Sequence, residues 1–278
     1  RSTRKESSAA SDVYKRQGLQ ARGISGLAIG GGIAMTVTIV IFLLIWIFGG
    51  FRFKPANPFP DMVSNGKTLI NIGVPAAFEQ AFFQGGLLIF MVFLASYGSA
   101  PFAAYGIGLS ILGIVIVVAF SFSISSATLV SQHLGAGDLK GAYQAGWKTM
   151  RTSLYFMVTG GVLMSLFAEQ IARFMIDDPQ VIHHMVQFTY ILSVCLPMMA
   201  IEFSMAGALR GAGDTRYPMM VTVFSILLTR IIAPWILVRM GADVVWLYAT
   251  SLVDFSIKSS LNMRRFRKKD WLKGHQQK

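Results

Sequence analysis

The chain has little charge and almost no cysteine. Only 14% of its 278 residues are charged, whereas 54% are hydrophobic, and a soluble domain averages about 25% charged residues. This balance excludes a disordered chain, a collagen and an ordinary soluble enzyme. The single cysteine, Cys195, excludes a disulfide framework and a cysteine-rich metal site.

Basic residues outnumber acidic ones, and the formal net charge is +12. In a nucleic-acid-binding protein these residues would decorate a soluble surface. Here they lie between and after long apolar runs, so anionic membrane lipid is the better partner for the charge and nucleic acid is not expected.

The sequence contains long apolar runs. A helix needs about 20 mostly apolar residues to cross a bilayer, and the runs are continuous, unlike the alternating strands of a membrane barrel. They predict an all-α integral membrane protein with seven transmembrane helices. The predicted spans are 24–48, 69–95, 103–131, 152–175, 184–209, 218–238 and 243–262.

The connections between the spans carry Gly, Pro and Asp, which favour turns. Lys and Arg collect on one side of the predicted spans, in the Pro-rich segment 52–67, in two short loops and in the tail from Arg264. The other side offers Arg173 and Arg239. Since basic loops stay inside, the Pro-rich segment and the C-terminus are expected in the cytoplasm, under a plasma membrane.

Residues 1–17 contradict this topology. They are polar, basic and Ser-rich, and they lack both an initiator Met and the apolar centre of a signal peptide. We interpret 1–17 as a non-native or disordered leader. The remainder is then expected to be the C-terminal part of a longer protein.

Ionisable side chains within membrane spans are costly and indicate function. The predicted spans contain three acids and two bases, so pairing would leave one carboxylate to bind H⁺ or Na⁺. We expect Glu79 to be that carboxylate. These residues are Glu79, Glu202, Arg230, Asp254 and Lys258.

The surroundings of Glu79 suit a cation site. Pro75 lies one turn earlier, where it frees a backbone carbonyl and favours a bend, and Gln80 supplies an amide. Glu79, Gln80 and Glu202 are therefore the candidate cation-coupling residues. A static buried network of all the charges is the alternative, and no cofactor or structural metal is expected.

Asp254 and Lys258 share a helix face at i, i+4 spacing, which predicts an ion pair. Seven spans with this pair in the last one would also suit a retinal Schiff base. Lys258 lies only about 9 Å from the cytoplasmic end of its span, and the third span contains no acid. The retinal alternative is rejected. No catalytic motif is found, so an enzyme is not expected.

Several stretches resemble the MATE (multidrug and toxic compound extrusion) family of cation-coupled exporters. The resemblance begins near residue 18 and is carried by several motifs together. They are Pro75 with Glu79, the segments 127–146 and 208–216, Thr229 to Pro234, Trp246, and Phe266 to Trp271.

The resemblance implies one lobe of a twelve-helix transporter plus one helix of the other lobe. Residues 18–50 would be the last helix of the N-terminal lobe, 51–67 a cytoplasmic linker, 68–263 the six-helix C-terminal lobe and 264–278 a basic tail. In one branch of the family, a Glu matching Glu79 has an Asp partner at the position of Met199. Whether Glu202 replaces that Asp stays open.

The implied function is H⁺- or Na⁺-coupled export of drugs or amphiphilic organic cations by a monomeric full-length protein in the plasma membrane. Export of lipid-linked saccharides or metabolites is one alternative. A seven-helix receptor and an inactive fragment are two others.

Overall fold

The computed structural model describes residues 23–48, 62–269 and 271, and within these residues it contains helices and no strand. The chain divides into two compact units, Arg1–Met62 and Val63–Lys278, which are described separately. The predicted leader 1–17 and most of the predicted linker 51–67 lie outside the described residues.

The first unit contains α1, Gly23–Ile47, whose sequence has no charged residue. Within it, Met35–Ile47 is an apolar helical segment. The first predicted run is therefore helical.

The second unit is a bundle of helices joined by short turns. The remaining predicted runs are helical, and the segments from Arg216 to Arg239 follow one another without a break. The helices are α2 (Met62–Ala95), α3 (Ser99–Gly135), α4 (Leu139–Leu166), α5 (Ala168–Met175), α6 (Pro179–Gly211), α7 (Arg216–Ile226), a π-helix (Leu227–Ile232), α8 (Ala233–Arg239) and α9 (Val244–Arg267).

Two helices extend across predicted domain boundaries. Helix α2 begins at Met62, so residues 62–67 of the predicted linker are helical; no proline lies between Pro60 and Pro75 to prevent this. Helix α9 runs to Arg267, so the predicted tail 264–278 starts inside a helix.

The chain is a multi-pass membrane protein, although the number seven is not confirmed. Among the described residues, four helices are long and apolar enough to cross a bilayer: Gly73–Ala95, Ser99–Gly135, Pro179–Gly211 and Arg216–Arg239. Helices α4 and α5 together would make a fifth span. Helix α9 falls outside this set; it contains Asp254 and Lys258 among several other polar side chains.

The fourth predicted span, 152–175, is not one straight helix. Phe167 leaves helical geometry with φ −106° and ψ 17°, and α5 turns by 68° from α4. Glu169 and Arg173 form an exposed ion pair on α5, 2.7 Å long. Because of the bend, these charged residues do not continue along the direction of α4, where charges within a membrane would be costly.

Helix α6 is the centre of the bundle, and α3 packs closely along it. Gly207 and Gly211 of α6 lie against the backbone of Ser123 and Ala127 in α3. Small residues at a helix crossing permit this approach.

The same tetrapeptide, Gly-Ala-Gly-Asp, ends α3 at 135–138 and α6 at 211–214. Gly137 and Gly213 adopt positive φ, 74° and 85°, which glycine tolerates without steric cost. In each turn the Asp N–H donates over 2.9 Å to a carbonyl in the last helical turn. The turns predicted at these two places are confirmed.

Candidate functional site

A cavity of about 300 Å³ opens among α2, α3, α6, α7 and α9. Charged residues and phenylalanines share its wall, which would suit a cation with apolar parts. Its lining includes Glu79, Gln80, Phe83, Phe120, Ser123, Glu202, Phe203, Arg210, Thr222, Phe255 and Lys258.

Glu79 is not the unpaired acid that the sequence led us to expect. Its Oε1 accepts a hydrogen bond of 2.5 Å from Nη2 of Arg210, which lies in the last turn of α6. The predicted fifth span ends at residue 209, so Arg210 falls outside the predicted charge network. The pair thus joins the last turn of α6 to the middle of α2, where Glu79 lies.

Two hydroxyl groups support this ion pair. Thr222 donates to the same oxygen of Glu79 over 3.1 Å. Ser123 accepts a hydrogen bond of 3.3 Å from Nη1 of Arg210. The pair therefore joins α2, α3, α6 and α7 at one wall of the cavity.

Glu202 is the acid left without a partner. It is 6% exposed, and its Oε2 is buried without a hydrogen-bond partner. No cation lies within ion-pair distance of it among the described residues, although Lys258 and Arg210 line the same cavity. A buried carboxylate without a partner is costly, and it is the feature that a bound proton or cation would relieve.

Asp254 and Lys258 form the ion pair that the spacing predicts, with an Nζ to Oδ2 distance of 3.0 Å. Ser225 donates to the other oxygen of Asp254 over 2.6 Å, and Arg230 approaches Oδ2 at 3.9 Å. The guanidinium of Arg230 also lies 4.6 Å from the ring centre of Phe90. The predicted network of Arg230, Asp254 and Lys258 is thus present.

Arg230 sits on the π-helix, which the apolar run did not reveal. Such segments interrupt helices in few places and are frequent at functional sites. The wider turn carries Arg230 and Thr229, both buried.

Gln80 lines the cavity beside Glu79. Pro75 is buried inside α2, which continues through it, so the bend assigned to Pro75 stays a prediction. A second internal proline, Pro197 in α6, lies five residues before Glu202 and was not singled out from the sequence.

In the described part of the chain, no group of three or more His, Cys, Asp or Glu side chains is arranged to hold a metal ion. His183 and His184 lie near the start of α6, where both contact Gln187.

The MatE family model matches residues 75–236, which is more than half of the chain. The chain belongs to the MatE family. The matched segment contains Glu79, Glu202, Arg210 and Arg230.

Curated relatives are considerably longer than this chain. The probable multidrug resistance protein NorM of Thermotoga maritima is 28% identical over 268 residues, which are 94% of this chain and 56% of that protein. The multidrug resistance protein PmpM of Pseudomonas aeruginosa is 24% identical over 218 residues, 77% of this chain and 45% of its own length. The chain therefore spans about half the length of these relatives.

Solved MATE structures share the fold. A MOP superfamily transporter from Pyrococcus furiosus superposes with a TM-score of 0.68 at 20% identity, over 73% of this chain and 45% of its own. A MATE structure in a bent conformation gives a TM-score of 0.69 at 19% identity, over 74% and 46%. The likeness supports the MatE fold for the helical bundle.

Proposed function

We propose that this chain forms one lobe of a cation-coupled antiporter that exports drugs or amphiphilic organic cations. The observation that carries the proposal is Glu202, a buried carboxylate with a free oxygen in a cavity lined largely by apolar side chains. The names of the relatives, which are multidrug resistance proteins, support the choice of cargo.

The coupling ion is H⁺ or Na⁺, and Glu202 is now the first candidate to bind it. A proton would neutralise the carboxylate and remove the cost of its burial. Na⁺ would need the ionised form with neutral oxygens around it. Glu79 and Gln80 remain part of the proposed site, with Glu79 held by Arg210.

Coupling requires that ion and cargo influence one another. A cationic cargo gains energy from an ionised Glu202, so a bound proton weakens cargo binding, and the effect is reciprocal. For export, the ion must bind better to the outward-open state than to the inward-open state.

The rest of the proposal concerns the whole protein. Its site of action is the plasma membrane, with the C-terminus in the cytoplasm, and its partners are membrane lipids and drug-like molecules. The full-length protein would act as a monomer. No enzymatic step is required for this exchange.

The experiment recovers the complete reading frame that contains this chain, reconstitutes its product in vesicles and follows efflux of a lipophilic cation under an imposed H⁺ or Na⁺ gradient. Glu202→Gln keeps the shape and removes the titratable group. It should abolish gradient-driven efflux and leave, in detergent, the weaker cation binding expected of a neutralised site.

Glu169→Gln is the matched control, because Glu169 is exposed on α5 and paired with Arg173. It should pump at the parental rate. Efflux by Glu202→Gln at the parental rate under both gradients would remove Glu202 from the coupling site.

A further inference from the structure

One of the protein's own cations occupies a carboxylate on the cavity wall. Nη2 of Arg210 lies 2.5 Å from Oε1 of Glu79, and both residues line the cavity. A guanidinium carries one delocalised positive charge and donates hydrogen bonds in a fixed fork. It therefore presents to Glu79 what a small organic cation would present.

We propose that Arg210 is a tethered competitor for cationic cargo: its guanidinium pairs with Glu79 when no cargo is bound, and an incoming organic cation must displace it to reach that carboxylate. This inference rests on the proposed function, since it concerns the binding of the cargo that the transporter would carry.

Two ion pairs, Arg210–Glu79 and Lys258–Asp254, differ in solvent exposure, and this difference decides in which of them a cargo cation can replace the basic side chain. The side chain of Arg210 is 25% exposed and that of Glu79 is 11% exposed. The side chains of Lys258 and Asp254 are 2% and 1% exposed. A displaced Arg210 keeps access to water, whereas a displaced Lys258 would be left as a buried unpaired charge, which costs far more.

The hydrogen-bond geometry supports exchange at Glu79. Arg210 and Thr222 both donate to Oε1, so the site offers a neutral donor that stays in place when the cation changes. The contact between Arg210 Nη1 and Ser123 is long, at 3.3 Å. It holds the guanidinium near the site without fixing it firmly.

A tethered competitor has two effects on transport. It lowers the apparent affinity for cargo by the fraction of time in which the carboxylate is free, so a fraction of one-tenth raises the apparent Kd about tenfold. It also returns to Glu79 as cargo leaves, which speeds release. Removing Arg210 should therefore tighten binding and slow turnover together.

The test uses the protein expressed from the complete reading frame, purified in detergent, with tetraphenylphosphonium as the probe cation. Calorimetry gives its Kd, and vesicle efflux gives the maximal rate. Arg210→Gln should lower the Kd about tenfold and reduce the maximal efflux rate. Arg216→Gln is the matched control, since Arg216 is exposed six residues further on. It should match the parental protein in both measurements.

Arg210→Lys covers the case in which Arg210→Gln does not fold. Lysine keeps the charge but lacks the fork that reaches both Glu79 and Ser123, so its Kd should fall between the parental and the Arg210→Gln values. Suppose that the parental protein binds and exports the probe cation, and that folded Arg210→Gln has a Kd equal to or above the parental value. This result would contradict the role of Arg210 as a competitor and would leave the proposed function standing. A parental protein that neither binds nor pumps overturns the proposed function, and the competitor with it.

Discussion

The backbone of Gly207 in α6 packs directly on the carbonyl group of Ser123 in α3. A Cβ at Gly207 would overlap the backbone of Ser123, and a backbone cannot swing aside as a flexible side chain does. Both residues line the cavity. The distance between the two helices, and with it the shape of the cavity, depends on the absence of one methyl group.

Gly207→Ala should therefore destabilise the bundle, although alanine favours helices. Overpacking at such a contact costs about 1–3 kcal/mol, and a lower thermal unfolding midpoint in detergent would report it. Gly160→Ala is the control, because a Cβ there would meet Leu196 at an ordinary 3.9 Å. Equal midpoints for the two variants would contradict the close crossing.

Asp254→Asn should cost folding or expression. The change leaves Lys258, which is 2% exposed, as a buried cation without its carboxylate, at a cost of about 3–5 kcal/mol. Adding Lys258→Met removes that cation and should recover part of the lost stability. Unfolding midpoints of the single and double variants form the test, and additive losses would show that the two residues do not interact.

Acid should weaken the turn between α3 and α4 through Asp138. The N–H of Gly141 donates to this carboxylate over 2.8 Å, and together with His133 it lowers the pKa of Asp138. A lowered pKa in the folded state means that the stabilisation is complete above the ordinary pKa and is lost as pH falls through the lowered one.

The loss is thus expected below about pH 4. Asp138→Asn cannot titrate, so the gap between its unfolding midpoint and the parental midpoint should be widest near neutral pH and should shrink in acid. A difference in midpoint that stays constant from pH 7 to pH 3 would show that ionised Asp138 is not the source of the stabilisation.

Membrane orientation is open to a labelling test. In a Cys195→Ala background, single cysteines replace Ser99, the first residue of α3, and Lys140, in the first turn of α4 beyond the other end of α3. Both positions are exposed. The positive-inside pattern predicts that an impermeant maleimide labels Ser99→Cys in intact cells and labels Lys140→Cys only after lysis. The reverse pattern would invert the topology.

The sequence was a good guide wherever the information is local. Apolar runs located the helices, Gly and Asp located the turns, and the i, i+4 spacing predicted the contact between Asp254 and Lys258. Each of these follows from a few neighbouring residues and the backbone geometry of one element.

Long-range partners were beyond that reasoning. Glu79 and Arg210 are 131 residues apart, and Arg210 follows the end of the predicted span 184–209. When Arg210 is added to the charge network as the partner of Glu79, Glu202 is the acid without a partner. The break at Phe167 and the π-helix around Arg230 were missed as well, since both depend on the packing of neighbouring helices rather than on composition.

Glu79 makes the side-chain hydrogen bonds that fasten α2 to α6 and α7. The carboxylate that would bind a cation is therefore also the group that attaches α2 to its neighbours. Exchanging its partner changes how firmly a 34-residue helix is held, because a mobile cargo gives no covalent link to α6 as Arg210 does. The partner bound at one atom, Oε1, would thus alter how freely α2 as a whole can move.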